Sequence, residues 1–299
     1  MGFIAIDLDG TLLNDNNEIS EENIKAIKYA QEKGIEVVIS TGRAYFDVQT
    51  ICEKAGISLP VIGTNGSTIH SKDGKCISSI KIAKERVESM IEWLEERNFY
   101  YEVFTDKGIF TPKKRIEQFQ NEINHFKSLE LNEEMIEIVE VAERQFDQFG
   151  YVLVEDYRDI LTNQEEFYNI LVGSFDKKKL EEAWNHFDQY KELMVVSSAD
   201  HNIEITSNSA SKGLALEKLA FNMKGSLEQA MAIGDSNNDL SMFQKVRYSV
   251  AMGNAKDEIK DVCTTTTLTN DEDGVAHAIY HYIETVYVSN QQSLQNQPD

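Results

Sequence analysis

The chain has 299 residues, of which 41% are hydrophobic and 27% charged, with 16 glycines and only 3 prolines. This composition is typical of a globular protein with a sizeable core, in one large or two ordinary domains, and it excludes collagen-like and largely disordered classes. The 29 basic and 51 acidic residues give a formal net charge of -22, which disfavours nucleic acid and anionic membranes as partners.

The three cysteines, Cys52, Cys76 and Cys263, lack the close spacing of a zinc site or a redox pair. They are ordinary thiols, as in a reducing compartment. No run approaches the roughly 18 consecutive apolar residues of a membrane span, and no basic segment of a secretory signal begins the chain. We therefore expect a cytoplasmic protein with no membrane partner.

Short apolar runs alternate with helical patterns at the start of the chain. The predicted elements are a strand at 3–6, a helix capped by Ser20 and ended by Gly34, a strand at 36–40, a helix at 45–55 and a strand at 61–62. This β-α-β-α-β order indicates a parallel sheet.

A different pattern occupies the middle of the chain, from about 84 to 206. Helices are predicted at 85–97, 133–146 and 177–190, and strands at 151–154, 169–173 and 193–197. Alternation then resumes, with a helix at 212–220, a strand at 229–233, a helix after Asn238 and a strand at 248–251. We therefore expect one α/β sheet domain, interrupted by a second α+β domain, and a disordered polar tail at 289–299.

Two carboxylates, Asp7 and Asp9, directly follow the first predicted strand, and Gly10 and Thr11 come next. Open α/β sheets bind ligands at the carboxyl ends of their strands. An Asx turn followed by a helix cap would produce the same pattern. The spacing alone leaves both interpretations open.

Two further strand ends carry polar residues. Thr41-Gly42-Arg43 precedes a helix and offers a hydroxyl and backbone N–H groups, which suit an anion, although a plain turn is the alternative. The segment from Asp235 to Asp239 is acidic, and Lys212 opens a nearby helix. Together these segments supply oxygen ligands for Mg²⁺ and donors for phosphate.

Four motifs in this order resemble those of the haloacid dehalogenase superfamily of phosphatases, and among them the Cof-type members with a large α/β cap. The motifs are Asp7-x-Asp9-Gly10-Thr11, Ser40-Thr41-Gly42-Arg43, Ser211-Lys212-Gly213 and Gly234-Asp235-x-x-Asn238-Asp239-x-x-Met242. The resemblance covers residues 3 to 285. It implies an α/β fold with a Rossmann-like parallel sheet core at 1–83 and 207–288, and an inserted α+β cap domain at 84–206.

The resemblance also implies roles for individual residues. Asp7 would be the nucleophile that forms an aspartyl-phosphate, and Asp9 the general acid and base. Asp7, the backbone carbonyl of Asp9 and Asp235 would hold Mg²⁺. The residues expected to bind the phosphoryl group are Leu8, Thr41, Gly42, Lys212 and Asn238.

Three more residues have weaker assignments. Asp239 would support metal-bound water from outside the ligand set. Arg43 and Asn65 would contact the substrate or the cap, but each also fits a structural role, Arg43 as an ion pair at a helix start and Asn65 in an Asn-Gly turn. Both interpretations stay open for these two residues.

We therefore predict a cytoplasmic Mg²⁺-dependent phosphatase that hydrolyses a small phosphorylated metabolite, such as a sugar phosphate, with the cap choosing the substrate. Its partner would be a small-molecule phosphate ester, and the protein would be a monomer or a weak homodimer. A phosphomutase on the same fold is the first alternative. A phospho-aspartyl signalling or binding protein is the second, although its phosphoacceptor normally lies on a later strand than the acidic pair.

Overall fold

The computed structural model describes residues 2–128, 131–144, 146, 148–162 and 166–287. The tail expected at 289–299 lies outside these residues. The chain forms two compact units. The split unit comprises the residues up to Ser78 and from Ser211 onward, and the inserted unit comprises Ser79–Ala210.

The described residues form strands and helices in both units. The strands are β1 (Phe3–Ile6), β2 (Glu36–Ser40), β3 (Val61–Gly63), β4 (Thr68–His70), β5 (Cys76–Ser79), β6 (Tyr100–Thr105), β7 (Ile109–Pro112), β8 (Tyr151–Val154), β9 (Phe167–Gly173), β10 (Leu193–Val196), β11 (Asn202–Ser207), β12 (Ala230–Gly234), β13 (Tyr248–Ala251) and β14 (Thr265–Thr266). The α-helices are α1 (Glu21–Glu32), α2 (Tyr45–Ala55), α3 (Lys84–Glu96), α4 (Lys113–Lys127), α5 (Glu133–Arg144), α6 (Arg158–Thr162), α7 (Lys177–Phe187), α8 (Lys212–Asn222), α9 (Leu240–Phe243), α10 (Asp257–Lys260) and α11 (Gly274–His281). None of the helices in this part of the chain is long and apolar enough to cross a membrane.

The sheet of the split unit has the strand order β14-β13-β12-β1-β2-β3-β4-β5. β1 pairs in parallel with β2 and β12, so that Ile6 lies between Ile39 and Ile233. The pairs β2–β3, β12–β13 and β13–β14 are also parallel, and β3–β4 is antiparallel. The expected α/β class with a Rossmann-like parallel sheet is confirmed.

Burial on both faces explains why β1 is a continuous apolar run. Ile4 and Ile6 belong to one core cluster, and Phe3 and Ala5 belong to another. Parallel sheets are covered by helices on both faces, so their central strands carry no alternating polar positions. The predicted cap of α1 is confirmed, because the Ser20 hydroxyl oxygen accepts from the backbone N–H of Asn23 at 3.1 Å.

The inserted unit is built on its own sheet, in the order β10-β11-β9-β6-β7-β8. Its pairs are antiparallel except for β7–β8. One face packs against α3 and α7, where Val87 and Ala183 join Ile170 and Ile203 in a core cluster. The inserted unit therefore has the mixed α+β composition that the predicted fold class requires of the second domain.

Candidate active site

Four loops meet at one edge of the split unit's sheet. Asp7 follows β1, Thr41 follows β2, Thr64 follows β3 and Asp235 follows β12. These four strands are parallel neighbours, so their carboxyl ends coincide. The residues that follow these strands therefore lie close together, although they are far apart in the sequence.

Three carboxylates lie together in this site. Asp7, Asp235 and Asp239 each place an oxygen within 4.8 Å of the others. Lys212 Nζ donates to Asp7 Oδ1 at 2.5 Å and to Asp239 Oδ1 at 2.7 Å. Since one ammonium faces three carboxylates, the cluster carries surplus negative charge.

The pKa values of these groups express that surplus. Burial, together with the charges of Asp239 and Asp235, raises the pKa of Asp7 well above its ordinary value, although Lys212 opposes the shift. Burial and the charge of Asp239 raise the pKa of Asp235 to about 6. Burial lowers the pKa of Lys212, but attraction to Asp239 and Asp7 outweighs burial, so the lysine stays protonated. A further cation would relieve the remaining repulsion.

The first motif orients Asp235 through its glycine and threonine. Gly10 has a φ of +71°, and a Cβ there would lie 2.8 Å from Asp235 Oδ2. Only glycine suits this conformation and this close approach. Thr11 Oγ1 donates to Asp235 Oδ1 at 2.8 Å, and Ser236 Oγ donates to Asp235 Oδ2 at 2.8 Å. Both oxygens of Asp235 are therefore oriented.

Asp239 binds protein groups through both oxygens. Its Oδ2 accepts from the backbone N–H groups of Asp235 and Ser236, each at 3.0 Å. Its Oδ1 accepts from Lys212, and a Cβ at Gly234 would lie 2.3 Å from Oδ2. Asp239 therefore holds both the loop and the lysine in place.

The side chain of Asp9 has a different partner from that of Asp7. Arg43 donates from Nε to Asp9 Oδ2 at 2.8 Å and from Nη2 to Asp9 Oδ1 at 2.7 Å. Its Nη1 donates to Asp47 Oδ2 at 2.7 Å. Burial lowers the pKa of Arg43, but the charges of Asp9 and Asp47 have the larger effect and raise the pKa above its ordinary value. The guanidinium thus holds the Asp9 carboxylate by both oxygens.

The expected phosphate-binding residues lie on the same edge. Thr41 is buried, and its Oγ1 accepts from the backbone N–H of Arg43 at 3.1 Å. Gly42 lies in the same turn, and Leu8 is buried directly after Asp7. Asn238 Nδ2 donates to Asn65 Oδ1 at 3.1 Å. The structure therefore brings together the loops that carry these residues.

The sequence did not predict the partners of three residues that complete the site. Thr11 and Ser236 orient Asp235, and Asp47 fixes Arg43. Asp47 lies four residues after Arg43, at the start of α2, and side chains at this spacing can form an ion pair. This spacing could have predicted the pair. Thr11 belongs to the first motif, but its partner Asp235 lies far away in the sequence, and the partner of Ser236 is the adjacent residue, so spacing predicted neither bond.

Comparisons with known proteins identify the family of this chain. The sequence model of the haloacid dehalogenase-like hydrolases matches residues 4–279. Phosphatase YwpJ of Bacillus subtilis is 44% identical over 285 residues, which cover 95% of this chain and 100% of that protein. A second Bacillus subtilis protein, 5-amino-6-(5-phospho-D-ribitylamino)uracil phosphatase YwtE, is 39% identical over 287 residues, covering 96% of this chain and 100% of its own length.

The solved structures lead to the same family. A haloacid dehalogenase-like hydrolase from B. subtilis has a TM-score of 0.84 and 44% identity, and the match covers 94% of this chain and 99% of that one. The family resemblance expected from the four motifs is thereby confirmed. The chain belongs to the haloacid dehalogenase-like hydrolases and is a phosphatase of that family.

Proposed function

We propose that this phosphatase depends on Mg²⁺ and hydrolyses a small phosphorylated metabolite, such as a sugar phosphate, through an aspartyl-phosphate on Asp7. One observation carries the proposal: Asp7, Asp235 and Asp239 lie together at the edge where four strands end, and Lys212 binds two of them, Asp7 and Asp239. The relative named for a phosphorylated ribitylaminouracil supports a small phosphate ester as the substrate.

The donor set fits Mg²⁺. The cluster offers only carboxylate oxygens, and Mg²⁺ prefers hard oxygen ligands. The carboxylates of Asp7 and Asp235 and the backbone carbonyl of Asp9 would hold the ion. When bound, it offsets the repulsion between a carboxylate nucleophile and a phosphate dianion.

The residues of the chain would divide the reaction into two displacements. The Asp7 carboxylate attacks phosphorus, the bond from phosphorus to the ester oxygen breaks, and Asp9 gives that oxygen a proton. Water then attacks the phosphorus of the aspartyl-phosphate, and Asp9 takes a proton from that water. The bond from phosphorus to Asp7 breaks, which releases inorganic phosphate and restores the Asp7 carboxylate. Both Asp9 oxygens accept from Arg43, which orients the carboxyl group proposed to carry this proton.

The phosphoryl oxygens would be bound by groups from all four motifs. Lys212 contributes the positive charge, and the backbone N–H groups of Leu8 and Gly42 contribute neutral donors. Thr41 and Asn238 add side-chain donors. Such donors accelerate the reaction when they meet charge that grows in the transition state.

We also propose that residues 84–206 act as the cap domain that selects the substrate. The proposed catalytic residues all lie outside this segment, whereas binding energy for the rest of the substrate must come from elsewhere. Substitutions in the segment should therefore change the relative kcat/KM among metabolites more than the hydrolysis of a small aryl phosphate.

The test is phosphate release from a panel of sugar phosphates, nucleotides and cofactor phosphates, with Mg²⁺ and with a chelator. We expect release with Mg²⁺ and none with the chelator. Analysis of the organic product separates hydrolysis from a mutase reaction, which would return an isomerised sugar phosphate. Metal-independent release, or isomerisation without release, would contradict the proposal.

A further inference from the structure

The turn Thr64–Gly66 after β3 has an unusual backbone. Thr64, Asn65 and Gly66 have φ values of 52°, 51° and 91°, so three consecutive residues are left-handed. A β-branched threonine rarely adopts this region, and such backbone persists only where the surroundings impose it. All three residues are buried. The turn therefore has a conformation that its neighbours require.

Those neighbours are the segments proposed to bind phosphate. The backbone N–H of Asn65 donates to the carbonyl oxygen of Thr41 at 3.0 Å, and that of Thr64 donates to the carbonyl oxygen of Arg43 at 2.9 Å. A Cβ at Gly66 would lie 2.2 Å from the carbonyl oxygen of Ser211, the residue before the lysine of the site. The turn is thus packed between the second and third motifs.

The side chain of Asn65 reaches the fourth motif. Asn65 Oδ1 accepts from Asn238 Nδ2 at 3.1 Å. A side-chain amide has two N–H hydrogens, so this bond uses one and leaves the other for a second acceptor. Asn238 Oδ1 is buried and has no hydrogen-bond partner within the described residues. Among the described residues, the hydrogen bond to Asn65 is therefore the side-chain contact that orients the Asn238 amide.

We infer that Asn65 is a positioning residue, which holds the Asn238 amide so that its second N–H faces a phosphoryl oxygen. The inference rests on the proposed function and adds a residue that acts through Asn238. It also explains why the left-handed turn is kept, because this backbone brings Asn65 Oδ1 to Asn238 while its N–H binds Thr41. A residue that merely formed the turn would need no bond to Asn238.

The test uses Asn65→Gly, Asn238→Ala and the double variant. Glycine accepts the left-handed backbone, so Asn65→Gly removes the amide without imposing strain. We expect kcat/KM for a small aryl phosphate to fall roughly 10-fold, as for other groups that orient a ligand-binding side chain. The inhibition constant of inorganic phosphate should rise in the same variant, because phosphate would bind more weakly. In the Asn238→Ala background, Asn65→Gly should change neither value by more than about two-fold.

Asn17→Gly is the matched control. Asn17 is also a left-handed asparagine of the split unit, with a φ of 58°, and it is outside the proposed site residues. This variant should keep kcat/KM within about two-fold of the parent, because it makes the same replacement at a left-handed residue without removing a contact to the proposed site. If Asn65→Gly fails to fold, Asn65→Ser removes the contact instead, because its hydroxyl is one bond shorter, and the same outcomes apply.

Three results would overturn the inference. The first is parent-like kcat/KM and phosphate inhibition in folded Asn65→Gly. The second is a loss from Asn65→Gly that multiplies with the loss from Asn238→Ala, because the residue would then act independently. The third is parent-like behaviour of Asn238→Ala, which would remove Asn238 from phosphate binding. Failure of the proposed function has a separate signature, which is the absence of Mg²⁺-dependent phosphate release by the parent protein.

Discussion

The two units bury their charges in different ways. In the inserted unit, Arg115 is 2% exposed and donates to both carboxylate oxygens of Glu95, at 3.0 and 2.5 Å, and to Asn98 and Gln118. At the split unit's sheet edge, three carboxylates face one lysine. The buried charge of Arg115 is thus matched by a carboxylate partner, whereas the carboxylates at the sheet edge are in surplus.

The buried Glu204 of the inserted unit is held by neutral hydrogen-bond donors. It accepts from Asn169 Nδ2 at 2.7 Å and from Ser198 Oγ at 2.6 Å. A matched buried charge serves the fold, because removing one partner leaves the other uncompensated. A surplus costs folding energy, and clusters of this kind are common at functional sites, where a bound cation can neutralise them.

The largest expected effect comes from Asp7→Asn. This change keeps the size of the side chain but removes the nucleophilic charge, so turnover should fall on the order of 10⁴-fold or more. Stability should not fall, because a surplus buried charge is removed. Phosphate release and thermal unfolding measure the two effects. Parent-like turnover by the folded variant would refute the assignment of the nucleophile.

Arg115→Met should have the opposite profile. Loss of the guanidinium leaves Glu95 without its buried cation, so the free energy of unfolding should drop by about 3–5 kcal/mol. The kcat/KM for a small aryl phosphate should stay within about two-fold while the protein is folded.

Arg158→Met is the control for Arg115→Met. The Arg158 side chain is 67% exposed and pairs with Asp156, so its loss should have little effect on the free energy of unfolding. Urea unfolding of both variants decides the comparison. Equal losses of stability would show that the Arg115 cluster contributes no more than an exposed ion pair.

Lys212→Ala removes the only ammonium bonded to Asp7 and Asp239 among the described residues. We expect kcat/KM to fall roughly 10²-fold, the size of effect for one donor to transition-state charge. Lys245→Ala is the control, because Lys245 pairs with Glu217 at the surface and should leave kcat/KM unchanged. A fall of similar size in both variants would remove Lys212 from phosphate binding.

The smallest effect concerns pH. Asp235 has a pKa raised to about 6 in the metal-free protein, so its carboxylate is protonated below that value and ionised above it. Mg²⁺ must displace this proton at low pH, so its affinity should fall as pH drops through 6, by up to about 10-fold per unit. Magnesium titrations of phosphate release at several pH values measure this. A Mg²⁺ requirement that is constant between about pH 7 and 5 would contradict the expectation.

Much of the fold could be predicted because local periodicity reflects burial. The structure places α2 at Tyr45–Ala55, β8 at Tyr151–Val154 and β13 at Tyr248–Ala251, the bounds that the apolar patterns indicate. The helix α4 at Lys113–Lys127 was not predicted. Its hydrophobic side is narrow, with Phe119 and Ile123 as its buried apolar residues, so the pattern is weak.

The site shows the same division. Asp7, Thr41 and Asp235 could be grouped in advance because the ends of parallel strands share an edge. The direction of the Asp9 side chain could not, because it depends on Arg43, which lies 34 residues away in the sequence. The left-handed Thr64 has no local signal either, since threonine disfavours that backbone and only tertiary contacts impose it.

The central claim is that the surplus carboxylate charge is kept for a divalent cation. Calorimetric titration of Mg²⁺ into metal-stripped protein near neutral pH tests it directly, with Asp235→Asn and Glu204→Gln as paired variants of the two units. We predict that the parent and Glu204→Gln bind Mg²⁺ with the same affinity, and that Asp235→Asn binds it at least about 10-fold more weakly. Equal affinity in all three proteins, or no binding by the parent, would contradict the claim.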